Sequence, residues 1–201
     1  MIFFPNPFVG ADLRIRPHPK TYMDYPTRIQ HRLKGFDYKS TANYFITIVT
    51  QNRWNLFGNV VEGKMILNQA GLMVWDKYRE LARQIEQNDQ QIITVMPNHI
   101  HFVLFNYTHE TENVVTFIQT FKRWTTNEYI KGVREKGWQP FDKKLWQRDY
   151  YDHVIRNQRS YDYIVDYIKD NPERWEHDKL NDNCSQQPDN INEEIRLLEI
   201  P

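Results

Sequence analysis

The chain of 201 residues has a single cysteine, Cys184, which excludes an intrachain disulfide framework and any multi-cysteine zinc or iron–sulfur site. It lacks a basic start and has two prolines within its first seven residues, so MIFFPNP does not read as a signal peptide. No apolar run approaches membrane-spanning length. Net charge is also absent, with Lys and Arg at 26 and Asp and Glu at 26. A protein that coats DNA nonspecifically would be more basic. There are no internal repeats. These absences describe a soluble cytoplasmic protein with no membrane partner, of a length that suits one domain with tails.

What is present is enough to build a core: 40% of residues are apolar and 14% aromatic. The charge that cancels overall is unevenly placed. Residues 1–36 carry six bases against two acids and half of the prolines, and read as a basic Pro-rich arm. Residues 181–201 carry one base against five acids and read as an acidic flexible tail. The segment 37–180 between them is the expected catalytic domain.

Within it, ANYFITIV (42–49) has the β-branched and aromatic content of a strand. LFGNVVEGKMIL reads as a hairpin turning at Glu62-Gly63. Asn68 is placed to cap a helix running to about Gln84, with Val74, Tyr78, Leu81 and Ile85 on one face. QIITVMPNHIHFVLF predicts two strands about a Pro97-Asn98 turn. A second helix is expected over 112–131, capped by Thr111 and ended by Gly132, with Val114, Ile118 and Phe121 inward. LWQRDYYDHVI (145–155) reads as the fourth main strand, and 158–169 as a third helix broken at Asn171-Pro172. PERWEHDK predicts one more short helix beginning at Pro172. The order is α+β, a ferredoxin-like βαββαβ sandwich with an added hairpin and C-terminal helices. One sheet face is expected under two helices, the other free for a site.

Two stretches can carry chemistry. In a strand, His99 and His101 project to the same side, roughly 6–7 Å apart, while Ile100, Phe102 and Leu104 point into the core. Two such imidazoles can bind one divalent cation, given a third ligand. They can equally be surface histidines, or histidines hydrogen-bonded across the sheet. In YIVDYIKDNP, Tyr163 and Tyr167 share a helical face and Asn171 lies one turn beyond. This brings a hydroxyl beside an amide oxygen, although the tyrosines can also edge the core and Asn171 can cap the helix after it.

VMPNHIHFVLF, LWQRDYYDHVIRN and YIVDYIKDNPERW, in this order and spacing, resemble the HUH single-tyrosine transposases. The likeness is to the REP-associated tyrosine transposases and small insertion-sequence transposases, and covers roughly residues 31–178. It implies an HUH nuclease fold and cleavage of single-stranded DNA near hairpins through a 5′-phosphotyrosine intermediate, with Mg²⁺ or Mn²⁺. It also implies that His99, His101 and Asn171 are the metal ligands and Tyr167 the nucleophile. Relatives occur both as monomers and as homodimers, and the sequence does not choose between them.

The implied chemistry is physically coherent. A tyrosine hydroxyl, with a pKa of about 10 in water, is a poor nucleophile at neutral pH, and a phosphodiester resists anionic attack. A cation on a nonbridging oxygen relieves the second difficulty. Two neutral imidazoles and an amide oxygen leave its charge undiminished. For DNA contact the candidates are Lys122, Arg123, Trp124 and Lys131 on helix two, with Arg148, His153 and Arg156 around strand four. Trp124, Tyr150 or Tyr151 could stack on unpaired bases. The competing reading is a solvated helix face with core-filling aromatics, and a structural role for His153. Two rival functions remain at this stage: a domesticated, inactive DNA-hairpin binder, and a water-using metal-dependent phosphoesterase.

Overall fold

A computed structural model describes residues 42–85, 92–106, 114–182 and 191–199, all within the unit His31–Pro201. The N-terminal arm, Thr111 and Cys184 lie outside the described residues.

The four main strands are β1 (Ala42–Val49), β4 (Ile93–Val95), β5 (His99–Asn106) and β6 (Tyr151–Ile155). They form one antiparallel sheet in the order β4-β5-β1-β6. Between the first two, β2 (Gly58–Val61) and β3 (Lys64–Leu67) make a separate hairpin. Its turn is the predicted Glu62-Gly63, with φ of 50° and 70°, the left-handed pair a tight hairpin turn requires.

Helices α1 (Gln69–Ile85) and α2 (Val114–Lys136) pack on one face of the sheet. The Asn68 side chain accepts from the Gly71 amide at 2.9 Å and so caps α1 as expected. Val74, Tyr78 and Leu81 of α1 and Val114, Ile118 and Phe121 of α2 meet Ile46, Ile48, Ile100, Phe102 and Leu104 in a buried cluster.

Several expectations are corrected. Gly132 does not end α2. A Cβ there would sit 2.2 Å from the Trp138 ring, so glycine permits that close approach, and the helix stops at Gly137 with φ 68°. The fourth strand begins at Tyr151 rather than Leu145, because Leu145 and Trp146 are buried in the preceding loop, with Trp146 bridged to Thr50. PERWEHDK forms only a 3₁₀ turn, Trp175–His177, whose preceding residue makes no side-chain cap.

The second sheet face is not free. Helix α3 (Gln158–Asp170) and helix α4 (Ile191–Leu198) cover part of it, with Ile164, Tyr167, Ile168, Ile191 and Ile195 against Phe45, Val103 and Phe105. The segment read as a flexible acidic tail thus contains an ordered helix. Its acids Glu193 and Glu194 are exposed while Ile191 and Ile195, four apart, are buried. Among the described residues, no helix is long and apolar enough to cross a membrane.

Candidate active site

The pleat of β5 sends His99 and His101 to the α3 side of the sheet, with ring centroids 4.5 Å apart. They are not surface residues: their exposures are 0% and 3%. Burial pushes the His99 pKa down, opposed by Asp178 and the Asn171 side chain. Burial also holds His101 well below the usual value, helped by His99 and Lys179. Burial thus favours the neutral form of both rings, which carries one lone pair each.

Hydrogen bonds decide where that lone pair points on His99. The Asn98 amide nitrogen donates to the Arg53 carbonyl at 3.1 Å and the Leu180 carbonyl at 2.8 Å, which turns its oxygen toward His99. His99 Nδ1 lies 2.8 Å from that oxygen, so Nδ1 carries the proton and Nε2 is the acceptor. On His101, Nδ1 lies 2.8 Å from Thr47 Oγ1, directly across the β1–β5 pairing. A hydroxyl can accept there too, again leaving Nε2 as acceptor. Both Nε2 atoms are buried without a hydrogen-bond partner.

Asn171 ends α3 in helical conformation, and its side chain points inward rather than capping the segment after it. Its amide nitrogen faces Asp178 Oδ2 at 3.4 Å, while its buried Oδ1 has no hydrogen-bond partner. Such orphaned buried acceptors are costly, and a cation bound among them relieves that cost. His99, His101 and the buried carboxylate of Asp178 present ligand atoms within 4.8 Å of one another, a group able to hold a metal ion.

Tyr167, one helical turn before Asn171, is 8% exposed and its ring lies 5.4 Å from that of His101. Tyr167, His101 and Asp178 all line a cavity of about 240 Å³ beside β1, with Tyr150, Tyr151 and Asn192 on its walls. Tyr163 packs at the edge of the α3–α4 core and does not line this cavity.

The sequence family described as "Transposase IS200 like" matches residues 38–171, two-thirds of the chain. The chain belongs to that family. Similar proteins include an uncharacterized protein of Haemophilus influenzae, 29% identical over 180 residues, spanning 78% of this chain and 96% of that one. Among solved structures, a REP-associated tyrosine transposase bound to a REP hairpin matches with a TM-score of 0.50 and 19% identity, over 72% of this chain and 74% of that one. At that identity the likeness is one of fold.

In this IS200-like transposase the residues read as DNA contacts scatter. Arg123, Lys131 and Arg148 are exposed, and Lys131 pairs with Glu128 at 2.7 Å. Trp124 packs against the α1–α2 core with Lys77 over its ring. Lys122 directs its ammonium at the carbonyls of Gln147, Arg148 and Asp149, at 3.0, 3.3 and 3.1 Å, which occupies all three N–H donors. Burial pushes its pKa down to about 8, against the pull of Asp149. His153 and Arg156 are both engaged by Glu199, His153 Nε2 at 2.9 Å and Arg156 through its guanidinium and backbone. In this conformation Lys122, His153 and Arg156 serve the fold.

The residues that sequence reasoning passed over as site components are Thr47, Asn98 and Asp178. The first two had a signal: Thr47 alternates onto the same face as His101 once the strands are paired, and Asn98 adjoins the first histidine. Asp178 had none, since its place depends on how the chain returns after α3.

Proposed function

We propose that the protein cleaves and rejoins single-stranded DNA next to hairpins, through a 5′-phosphotyrosine on Tyr167 and a divalent cation, Mg²⁺ or Mn²⁺, held by His99, His101 and Asn171. The observation that carries this reading is a set of buried acceptor atoms without hydrogen-bond partners, on His99, His101 and Asn171, next to a cavity that His101 and Tyr167 line together. Membership of the transposase family supports it. The fold neighbour's complex with a REP hairpin supports a hairpin partner.

The cation, when bound, withdraws charge from a nonbridging phosphate oxygen. His99 and His101 supply neutral lone pairs, fixed in direction by Asn98 and Thr47. Tyr167 approaches from α3, where the same turn that carries Asn171 sets its height over the sheet. The Tyr167 oxygen bonds to phosphorus as the bond to the 3′ oxygen breaks. The phenol proton is lost and the departing 3′ oxygen gains one. Attack by another 3′-OH on the phosphotyrosine reverses these exchanges, so the bond energy is retained and no nucleotide cofactor is required. Joining strands needs such an intermediate, whereas simple hydrolysis does not.

The test is a denaturing gel of protein incubated with labelled single-stranded DNA carrying a hairpin, with Mn²⁺. A covalent adduct is expected for the native chain and none for Tyr167→Phe. Cleavage without adduct would point to a water-using phosphoesterase. Binding without cleavage would point to an inactive hairpin binder. Either result overturns the proposal.

A further inference from the structure

The ligand set read from the sequence is entirely neutral, yet a carboxylate lies inside it. Asp178 is 6% exposed and lies outside the family-matched residues 38–171. Its Oδ2 is 3.7 Å from His99 Nε2 and 3.4 Å from the Asn171 amide nitrogen. Donor atoms bound to one small divalent cation, each about 2.0–2.3 Å from it, stand roughly 3–3.7 Å apart. The spacing to His99 is at that limit and too long for a hydrogen bond. His99 Nδ1–H donates to Asn98 Oδ1, which leaves Nε2 as an acceptor, so two acceptor atoms face each other across 3.7 Å.

The segment carrying Asp178 is held firmly in place. Asp178 Oδ1 accepts from the Leu180 amide at 2.7 Å, and the Leu180 carbonyl accepts from Asn98 at 2.8 Å. Arg53 donates to the Lys179 carbonyl at 3.2 Å, Asn181 donates to the Trp175 carbonyl at 2.9 Å, and Trp175 lies against His99 with centroids 5.9 Å apart. With Oδ1 committed to this loop, Oδ2 is left for the site. A buried carboxyl oxygen facing lone pairs is unfavourable unless a cation sits among them.

Resting on the metal reading above, we propose that Asp178 is a fourth, anionic ligand of the cation, and that it also turns Asn171 so that the amide oxygen faces the ion. The set becomes two imidazoles, one carboxylate and one amide oxygen. The carboxylate halves the net charge of the site, binds the ion more tightly, and suits Mn²⁺, which accepts mixed nitrogen and oxygen ligands.

The test is Mn²⁺ titration of the full chain by calorimetry, without DNA. Asp178→Asn keeps an oxygen acceptor for the Leu180 amide and removes the charge. It is expected to weaken Mn²⁺ binding by about 10–100-fold. Asp178→Glu keeps the charge but displaces it, and should weaken binding too. Glu176→Gln, an exposed acid two residues away, should leave affinity unchanged and so controls for long-range charge. Circular dichroism of each variant verifies the fold. Native-like affinity in folded Asp178→Asn would overturn the role of Asp178 alone. A native chain that binds no Mn²⁺, or His99→Ala binding it equally well, would overturn the metal reading itself.

Discussion

Neighbouring residues of β5 face two different environments. Ile100 and Phe102 point into a layer of Tyr78, Phe117 and Phe121, where aromatic rings meet at 5.0–6.5 Å. His99 and His101 point the other way, into a layer where Nε2 of each and Oδ1 of Asn171 are buried without hydrogen bonds. Both faces bury apolar side chains and gain stability from it, but only the second also buries polar atoms that go unpaired. The α1–α2 face holds the sheet together. The α3–α4 face uses that rigidity to keep polar atoms where, unoccupied, they cost free energy.

The strongest test of this contrast is His99→Ala. It should abolish adduct formation in the gel assay while costing less unfolding free energy in EDTA than truncating an apolar ring of the core, because removing an unsatisfied buried nitrogen offsets part of the packing and of the Asn98 bond that are lost. A large loss of stability by urea titration would mean that both faces are structural. Next in size is Phe102→Ala, on the opposite side of the same strand. Its cavity should cost about 3–5 kcal/mol, read by the same titration.

Smaller is Glu199→Gln, which loosens the hold on β6 and the start of α3. Burial raises the Glu199 pKa, but bonds from His153 and Arg156 outweigh this and keep it below the ordinary 4.5. Its stabilising effect is therefore full above that value and fades as pH falls through the lower folded value. Solvent screening limits it to about 1 kcal/mol. The native chain and Glu199→Gln should thus differ in thermal midpoint at pH 7 and converge in acid. Smallest is Tyr163→Phe, which should leave the adduct undiminished. Adduct mapped to Tyr163 by peptide sequencing would reassign the nucleophile.

Much of the site was legible because local periodicity sufficed. Alternation put His99 and His101 together, and one helical turn put Tyr167 beside Asn171. The rest depended on contacts distant in sequence. The charge of 181–201 concealed the Ile191–Ile195 pair that docks α4, so an ordered helix read as a tail. Lys122 looked like a phosphate contact because its target carbonyls lie 25–27 residues away. Arg156 and His153 looked available because Glu199, 43 and 46 residues on, is charged like a solvated side chain. Asp178 followed no spacing from the histidines at all.

The family-matched region ends at Asn171, but the chain's own fastening does not. Leu180 lends a carbonyl to Asn98, and Asn98 in turn sets which nitrogen of His99 holds the proton. A fragment trimmed at that boundary would keep His99, His101, Tyr167 and Asn171. It would lose one of the two carbonyls that orient the Asn98 amide, and with it part of the restraint on the His99 tautomer.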